Sequence, residues 1–394
     1  MKKHYFEFYC PVKMVAGFRA LEHIPFELES RGVARPLIVS DKGVSGAGLV
    51  DTVVAAMTSD GGAVGPVFDD VPPDSSLEAV MAGAAMYLDS GCDAIIAIGG
   101  GSVMDTAKAL NIIATEGGGD LRRYAGYNNL KHPLKPFVAI PTTAGTGSEV
   151  TAISVIKDRA QGVKTFYCSP FLLPDVAVLD PRTTLKLPPM ITAATAMDAL
   201  THAVEAYTCL ARNPLSDAYA EAAVRRISRW LVAVLERPDE SDGRLALAEA
   251  AAMAGIAFSN SPVGLVHALA HTIGALYGVH HGVANSIFLP HALEFNMPSS
   301  REEIGALLLY LAGPDVYAAT PAARRAEETV DRIAALKDRA HELCGLPRTL
   351  AETGQVPRED LPRIAAAALD DGTVVMNPID VTCEGALAVL ERAW

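Results

Sequence analysis

The sequence of 394 residues predicts an α/β domain with a parallel sheet, followed by an all-helical domain. In the first half of the chain, short β-branched runs alternate with amphipathic stretches, which is typical of parallel strands joined by helices. From Pro188 onward, Ala and Leu recur at helical spacing and the strand-like runs stop. We therefore predict a nucleotide-binding α/β domain at residues 1–187 and a helical, metal-binding domain at residues 188–394.

The predicted elements follow from these periodicities. We predict strands at residues 36–41, 93–98, 137–140 and 176–179, and helices at residues 76–90 and 102–114 of the first domain. The first of these helices places Leu77, Val80 and Ala84 on one apolar face. In the second domain we predict helices at residues 191–210, 215–235, 245–258, 302–311 and 321–344.

The composition restricts the class of protein. Half of the residues are hydrophobic and a fifth are charged, so the chain has enough apolar material to fold without disorder. The net charge of -13 disfavours nucleic acid and anionic membranes as partners. Six cysteines without a CxxC pair suit a reduced, cytoplasmic protein. We expect neither a signal peptide nor a membrane span, since no apolar run approaches about 20 residues.

A glycine-rich loop, residues 99–102, follows a predicted strand and opens a helix that contains Asp105. Glycines let a diphosphate approach the backbone, and the free N–H groups at the start of a helix attract anions. The loop therefore predicts a dinucleotide site. Because it does not have the GxGxxG spacing, a tight strand-to-helix turn without a ligand is the alternative.

Two further segments belong to the same predicted sheet edge. The loop at residues 141–149 also follows a strand, and ligands of open α/β sheets bind at the carboxyl ends of strands. Its alternative is a helix start capped by Ser or Thr. Asp41 ends an earlier strand, where a carboxylate accepts ribose hydroxyls and repels a 2′-phosphate, which favours NAD over NADP. Its alternative is a solvated aspartate in a turn.

Histidines with one aspartate predict a metal site in the second domain. Asp198 and His202 are four residues apart, and therefore lie on one face of a predicted helix that is rich in alanine. Downstream lie four more candidates, His267, His271, His280 and His281. One carboxylate and three imidazoles suit Fe²⁺ or Zn²⁺. Spacing alone does not decide which downstream histidines bind, and a pair such as His267 and His271 also fits one core and one surface residue.

Several long motifs in the right order make the chain resemble the iron-dependent (group III) alcohol dehydrogenase family, which includes lactaldehyde reductase, butanol dehydrogenase and propanediol dehydrogenase. The motifs are residues 99–108, 141–151, 193–207 and 264–271, with residues 281–285. The resemblance covers nearly the whole chain. It implies a Rossmann-like parallel sheet followed by an all-helical domain, the architecture shared with dehydroquinate synthase.

The resemblance also implies an activity. It implies a metal-dependent NAD(H) oxidoreductase that interconverts a short-chain primary alcohol or diol and its aldehyde by direct hydride transfer. The implied cofactors are NAD and a divalent metal, Fe²⁺ or else Zn²⁺, and the implied assembly is a cytoplasmic homodimer without nucleic-acid or membrane partners. Glycerol dehydrogenase-like and dehydroquinate synthase-like enzymes on the same fold are the alternatives.

The family motifs assign roles to particular residues. They imply that the metal ligands are Asp198, His202, His267 and His281. They imply that the cofactor-binding residues are Asp41, Gly99, Gly100, Gly101, Ser102, Asp105, Thr142, Thr143, Thr146 and Lys164. His271 matches a histidine that relays protons or orients substrate, and a hydrogen bond to a metal ligand is its alternative role.

The resemblance also implies positions for the substrate pocket, and the chain differs from its relatives at one position near the cofactor. Pocket positions that vary among relatives fall on Ile153, Phe258 and Thr373. An apolar wall made by the first two favours a short aliphatic alcohol or aldehyde over a bulky polyol. Where relatives carry an asparagine near the adenine, this chain has Asp74, which puts that contact in doubt.

Overall fold

The structure, a computed structural model, describes residues 5–59, 61–160 and 163–394. These residues form two compact units. The sheet unit comprises residues 10–143 and 147–186, and the helical unit comprises residues 5–9, 144–146 and 187–394. The two short segments at residues 5–9 and 144–146 were not expected in the helical unit, because the predicted domains were continuous in sequence.

The sheet unit is built on parallel strands, as predicted. The strands are β1 (Lys13–Ala16), β2 (Pro36–Val39), β3 (Val67–Phe68), β4 (Ala94–Gly99), β5 (Gly126–Tyr127), β6 (Phe137–Pro141), β7 (Ile153–Asp158), β8 (Val163–Cys168) and β9 (Val176–Leu179). Six of them form a parallel sheet in the order β1-β9-β6-β4-β2-β3. A smaller sheet has the order β5-β8-β7, in which β7 and β8 run antiparallel.

Helices cover this sheet. They are α1 (Ile24–Glu29), α2 (Lys42–Gly46), α3 (Leu49–Thr58), α4 (Leu77–Asp89) and α5 (Gly101–Glu116). Every residue of β4 is buried, because successive side chains point to opposite faces and both faces are covered. Ile95 and Ala97 pack into one apolar core, and Ile96 and Ile98 pack into another. A continuous apolar run therefore marks a strand at the centre of the sheet.

The helical unit contains the remaining helices. They are α6 (Pro189–Thr208), α7 (Pro214–Glu236), α8 (Ser241–Asn260), α9 (Leu265–Tyr277), α10 (His281–Ala312), α11 (Pro314–Ala319), α12 (Arg325–Cys344), α13 (Leu350–Thr353), α14 (Leu361–Ala368) and α15 (Cys383–Ala393). Helix α6 is buried on all sides from Thr192 to Thr208, and packs against α7, α8 and α10. Its small alanines allow those neighbours to approach closely.

Helices α9 and α10 differ from the prediction. Helix α10 includes the helix predicted at residues 302–311 but starts some twenty residues earlier, and non-helical dihedral angles at Ser300 mark a kink two residues after Pro298. Helix α9 was not predicted.

Over the residues that the structure describes, no single helix is long and apolar enough to span a membrane. Helices α8 and α9, which are bent by 105° at their junction, reach that length and apolar composition only as a pair.

Candidate active site

Four side chains of the helical unit converge on one point. Asp198 and His202 lie one turn apart on α6, His267 lies in the first turn of α9, and His281 begins α10. The Asp198 Oδ1 atom is 3.9 Å from Nε2 of His202, 3.8 Å from Nε2 of His267 and 3.6 Å from Nε2 of His281. One donor atom from each of the four residues lies within 4.8 Å of the others.

This arrangement fits a divalent cation. A cation about 2.1 Å from each of four tetrahedral donors separates neighbouring donors by roughly 3.4 Å, slightly less than the distances from Asp198 Oδ1 to the three nitrogens. One carboxylate and three neutral imidazoles are also a donor set that Fe²⁺ and Zn²⁺ accept. The residues present therefore fit the metal that the sequence predicts.

Close packing of α10 against α6 brings His281 to the other donors. A Cβ atom on Gly282 would lie 2.3 Å from the Ala194 carbonyl oxygen and 3.4 Å from Asp198 Cβ. Any side chain there would push the start of α10 away from α6. The glycine that follows His281 is thus required by the close approach of two helices.

Burial keeps the imidazoles in the form that binds metals. It lowers the pKa of His202, and it lowers the pKa of His267 well below the usual value, with the neighbouring histidines adding to the effect. Burial also lowers the pKa of His281 to about 4, against the attraction of Asp198. At neutral pH the three rings are uncharged, and each has a nitrogen lone pair available to a cation.

Glu205 lies behind the donors. Its Oε2 atom is 2.5 Å from Nδ1 of His267, and its Oε1 atom accepts a hydrogen bond of 2.8 Å from the Val266 backbone N–H. A carboxylate on the far nitrogen of a metal-binding imidazole fixes the tautomer and the orientation of the ring. Glu205 therefore directs Nε2 of His267 toward Asp198.

His271 belongs to a different chain of contacts. Its Nδ1 atom is 2.8 Å from Oδ2 of Asp371, whose other oxygen accepts hydrogen bonds from the backbone N–H and the hydroxyl of Thr373. The His271 ring stacks on His281 with centroids 5.3 Å apart, and remains exposed. Burial acts to raise the pKa of Asp371, but the hydrogen bond and charge of His271 outweigh it and lower that pKa to about 2.

The predicted pocket residues are divided between the units. Phe258 stacks on the His202 ring with centroids 4.4 Å apart, so it lies beside the donor cluster. Thr373 contacts Asp371, as described above. Ile153 begins β7 in the sheet unit and is partly exposed. The helical unit therefore places two of the three predicted pocket residues near the histidines.

In the sheet unit, the glycine-rich loop connects β4 to α5. A Cβ atom on Gly99 would lie 2.4 Å from a methyl group of Val103, and one on Gly100 would lie 3.3 Å from the Thr143 side chain. Gly100 is the N-cap of α5, and Gly101 begins the helix. The loop thus packs closely against its own helix and against the loop that follows β6. The backbone N–H groups in the first turn of α5, which includes Ser102, have no partner within the helix.

A buried lysine ties the second loop to α5. The Nζ atom of Lys108 is fully buried and lies within 3.0 Å of Ser148 Oγ, of the carbonyl and hydroxyl oxygens of Thr151, and of the Ile153 carbonyl. Burial lowers the pKa of Lys108 to about 8. Asp105, beside it, accepts hydrogen bonds from the Ser148 hydroxyl and the Val155 N–H.

The predicted threonines of the second loop lie at the end of β6. Thr142 is buried and donates its N–H to the Gly99 carbonyl at 3.1 Å. Thr143 lies against Gly100. Thr146 is half-buried and belongs to the helical unit.

A cavity of about 120 Å³ opens beside the glycine-rich loop. It is lined by Asp74, Ser75, Ser102, Asp105, Lys157 and Lys164, together with Val155. The Ser75 hydroxyl donates to the Ser102 carbonyl at 2.8 Å, which fixes one wall to the start of α5. Asp74 adopts a φ of 63° and pairs with Lys164 at 2.9 Å and with Lys157 at 3.6 Å.

Asp41 is at the carboxyl end of β2, as predicted. It is half-buried, and its Oδ1 atom accepts the Val44 N–H at 2.9 Å as the N-cap of α2. The Asp41 carboxylate therefore has a structural role as a helix cap, beside its predicted role in binding ribose.

Comparison with known proteins identifies the family. Residues 11–181 match the model of the iron-containing alcohol dehydrogenases, and residues 192–394 match the C-terminal domain of the Fe-containing alcohol dehydrogenase family. The chain belongs to the iron-containing alcohol dehydrogenase family. Like other members, it is an oxidoreductase that interconverts alcohols and aldehydes.

Individual family members match over their full length. The 1,3-propanediol dehydrogenase of Klebsiella pneumoniae is 37% identical over 398 residues, covering 100% of both chains. The NAD-dependent methanol dehydrogenase of Bacillus methanolicus is 35% identical over 386 residues, covering 98% of this chain and 99% of that one. A crystal structure of a 1,3-propanediol oxidoreductase aligns with a TM-score of 0.93 at 35% identity, covering 99% and 100%.

Three polar residues at or beside the donor cluster were not predicted from the sequence. Glu205 follows Asp198 by seven residues on one helix face, so its periodicity was available as a signal. Asn285 follows His281 by four residues in the same way. Asp371 is a hundred residues from His271, and nothing in the local pattern marks it.

Proposed function

We propose that this family member binds one divalent cation through Asp198, His202, His267 and His281 and uses NAD(H) to interconvert a short-chain primary alcohol or diol and its aldehyde. The observation that supports the metal is the convergence of three imidazole Nε2 atoms on Asp198 Oδ1. When bound, the cation supplies a Lewis acid for the substrate oxygen, and NAD supplies the hydride acceptor or donor.

His271 is the residue we assign to proton movement. Its ring is exposed and stacks on His281, so it borders the donor cluster without belonging to it. Asp371 holds Nδ1, which leaves Nε2 to exchange a proton with a substrate hydroxyl or with water. Thr373 contributes by holding Asp371, and we therefore assign it a positioning role.

The sheet unit is the proposed NAD site. Ser102 and the glycines before it offer backbone N–H groups to a diphosphate, and the adjoining cavity contains charged and hydroxyl groups suited to a ribose. Asp41 and Lys164 are the proposed ribose contacts, Asp105 supports the second loop, and Thr142, Thr143 and Thr146 are proposed to face the nucleotide. The NAD requirement named for the methanol dehydrogenase relative supports this choice of cofactor.

A short aliphatic substrate is favoured by the surroundings of the donors. Phe258 covers one face of His202, and an aromatic wall favours an alkyl chain over a chain that carries several hydroxyl groups. Ile153, in the sheet unit, remains a predicted pocket residue. Propanal and 3-hydroxypropanal are suitable test aldehydes, and glycerol tests the polyol alternative.

The experiment is reconstitution. Protein stripped of metal by a chelator is loaded separately with Fe²⁺, Zn²⁺ and Mg²⁺, and the loss of NADH absorbance is followed with each aldehyde. We expect activity with Fe²⁺ or Zn²⁺ and none with Mg²⁺, which prefers oxygen ligands. Equal activity in the chelator-treated protein before and after loading would overturn the proposal.

We also propose a cytoplasmic homodimer without nucleic-acid or membrane partners. The six cysteines are free in the structure, which suits a reducing compartment, and the net charge of -13 opposes binding to polyanions. Twofold symmetry is the commonest form of soluble oligomer. Light scattering coupled to size-exclusion chromatography tests the dimer, and a monomeric mass at working concentration would contradict it.

A further inference from the structure

Asn285 is a buried residue at the centre of the donor cluster that the proposed chemistry does not use. Its side chain is completely inaccessible to solvent, and it lies one helical turn after His281 on α10. The Nδ2 atom is 2.6 Å from Asp198 Oδ1, 3.1 Å from His281 Nε2 and 3.2 Å from His267 Nε2. One amide nitrogen thus contacts the donor atoms of three of the four residues.

The contact with Asp198 is the strongest of the three. An amide nitrogen carries two hydrogens, so it donates to at most two acceptors at once. A carboxylate acceptor gives the shorter and stronger bond, which agrees with the distances. The carboxylate oxygen has a second lone pair, so it can accept from Asn285 and still face a cation, whereas each imidazole Nε2 has one lone pair to offer.

The orientation of the Asn285 amide leaves its oxygen without a hydrogen bond within the described part of the chain, which costs free energy. With Nδ2 turned toward the donors, the Oδ1 atom is buried and finds no hydrogen-bond partner among the residues that the structure describes. A buried, unpaired carbonyl costs about 1–3 kcal/mol. This cost persists only if the contacts on the nitrogen side compensate for it, and these contacts are all with proposed metal ligands.

We propose that Asn285 is a positioning residue of the metal centre, which holds Asp198 Oδ1 toward the three imidazoles by donating a hydrogen bond to it. This inference rests on the proposed function, because it takes the four converging residues to be metal ligands. Without the amide, the Asp198 carboxylate is free to rotate, and the mutual repulsion of the donor lone pairs is no longer offset.

Metal affinity measured on matched variants tests this role. Asn285→Leu keeps most of the volume and removes both polar atoms, and Asn285→Ala removes the side chain. Ser286→Ala is the control, because the buried Ser286 hydroxyl donates only to the Val283 carbonyl on its own helix. Co²⁺ is titrated into each metal-free protein against a competing chelator, with its visible d–d spectrum recorded. Circular dichroism establishes that each variant is folded.

We expect both Asn285 variants to bind Co²⁺ about 10–100-fold more weakly than the wild type, with an altered d–d spectrum because Asp198 changes its orientation. The Ser286 control keeps the wild-type affinity and spectrum. Wild-type affinity and spectrum in folded Asn285→Leu would overturn the inference. A wild-type protein that binds no Co²⁺ would instead refute the proposed function, so the two failures are distinguishable.

Discussion

Glu205 and His267 form a buried pair, in which a glutamate oxygen lies 2.5 Å from the imidazole Nδ1. Both residues are almost completely inaccessible to solvent. Because Nδ1 is engaged, Nε2 is the nitrogen that faces Asp198. Glu205, to which the family resemblance assigned no role, therefore orients the ring of a proposed metal ligand.

Glu205→Gln tests this pair. Burial raises the pKa of Glu205 to about 8, so the prediction rests on its two oxygens, which contact the Val266 N–H and the His267 Nδ1 atom. Glutamine preserves the size of the side chain but has only one acceptor oxygen, so its NH₂ group must face one of these two nitrogens. We expect about a 10–100-fold weaker metal affinity in a folded protein, measured by competition with a chelator. Glu249→Gln, which removes a surface ion pair with Arg226, is the control. Equal affinities in Glu205→Gln and the control would contradict the role of Glu205.

His271→Asn tests proton movement. We expect kcat to fall about 10²-fold, the contribution of a positioned acid–base group, while metal content stays at the wild-type level because His271 is not a donor. Asp371→Asn should lower kcat less. The His271 hydrogen bond and charge lower the pKa of Asp371 to about 2, so Asp371 is ionised throughout the working range, and asparagine removes the negative charge that faces His271 while it keeps an acceptor oxygen. An unchanged pH profile of kcat in His271→Asn would rule out the relay.

Asp74→Asn tests the charge of the cavity beside the glycine-rich loop. Asp74 forms an ion pair with Lys164. Its negative charge repels the additional phosphate group that distinguishes NADPH from NADH. We expect NADPH to bind about two- to fivefold more tightly, a modest effect because the pair is half-exposed and such pairs contribute little, with a smaller gain for NADH. Asp70→Asn, an exposed partner of Lys42, is the control. Fluorescence titration measures both, and unchanged NADPH binding counts against this account.

Glu149→Gln tests a stability effect in the sheet unit. Burial raises the pKa of Glu149 to about 7, although a backbone hydrogen bond and Lys108 oppose the increase. Between pH 4.5 and about 7 the unfolded chain has lost this proton and the folded chain has kept it. The contribution of Glu149 to stability therefore falls as pH rises through this window. Urea unfolding at several pH values should show a steeper fall for wild type than for Glu149→Gln, and parallel curves would refute it.

Much of the fold was predictable because its strands are buried on both faces. The strands β2, β4, β6 and β9 are continuous apolar runs, so they can be recognised without knowing which strands pair with them. The antiparallel pair β7 and β8 was missed, because these strands are partly exposed and interleave lysines with apolar residues. Helix α9 was missed because a cluster of histidines obscured its apolar periodicity.

Residue spacing could not predict which of the downstream histidines belong to the donor cluster. Spacing pairs Asp198 with His202, since one helix carries both, but it treats the four downstream histidines alike. Only packing separates them: Nε2 of His267 and of His281 face Asp198, whereas His271 pairs with a residue a hundred positions away. His280 is exposed and precedes α10. Family resemblance supplied the choice that periodicity could not make.

Metal content measured together with turnover in wild type and His267→Ala tests the central claim most directly. Elemental analysis of the purified wild type should give one equivalent of a divalent transition metal, Fe²⁺ or Zn²⁺, per chain, and His267→Ala should lose both metal and aldehyde reduction while its circular dichroism spectrum remains that of a folded protein. Undiminished metal and turnover in His267→Ala, or a wild type that reduces aldehydes without metal, would contradict the account.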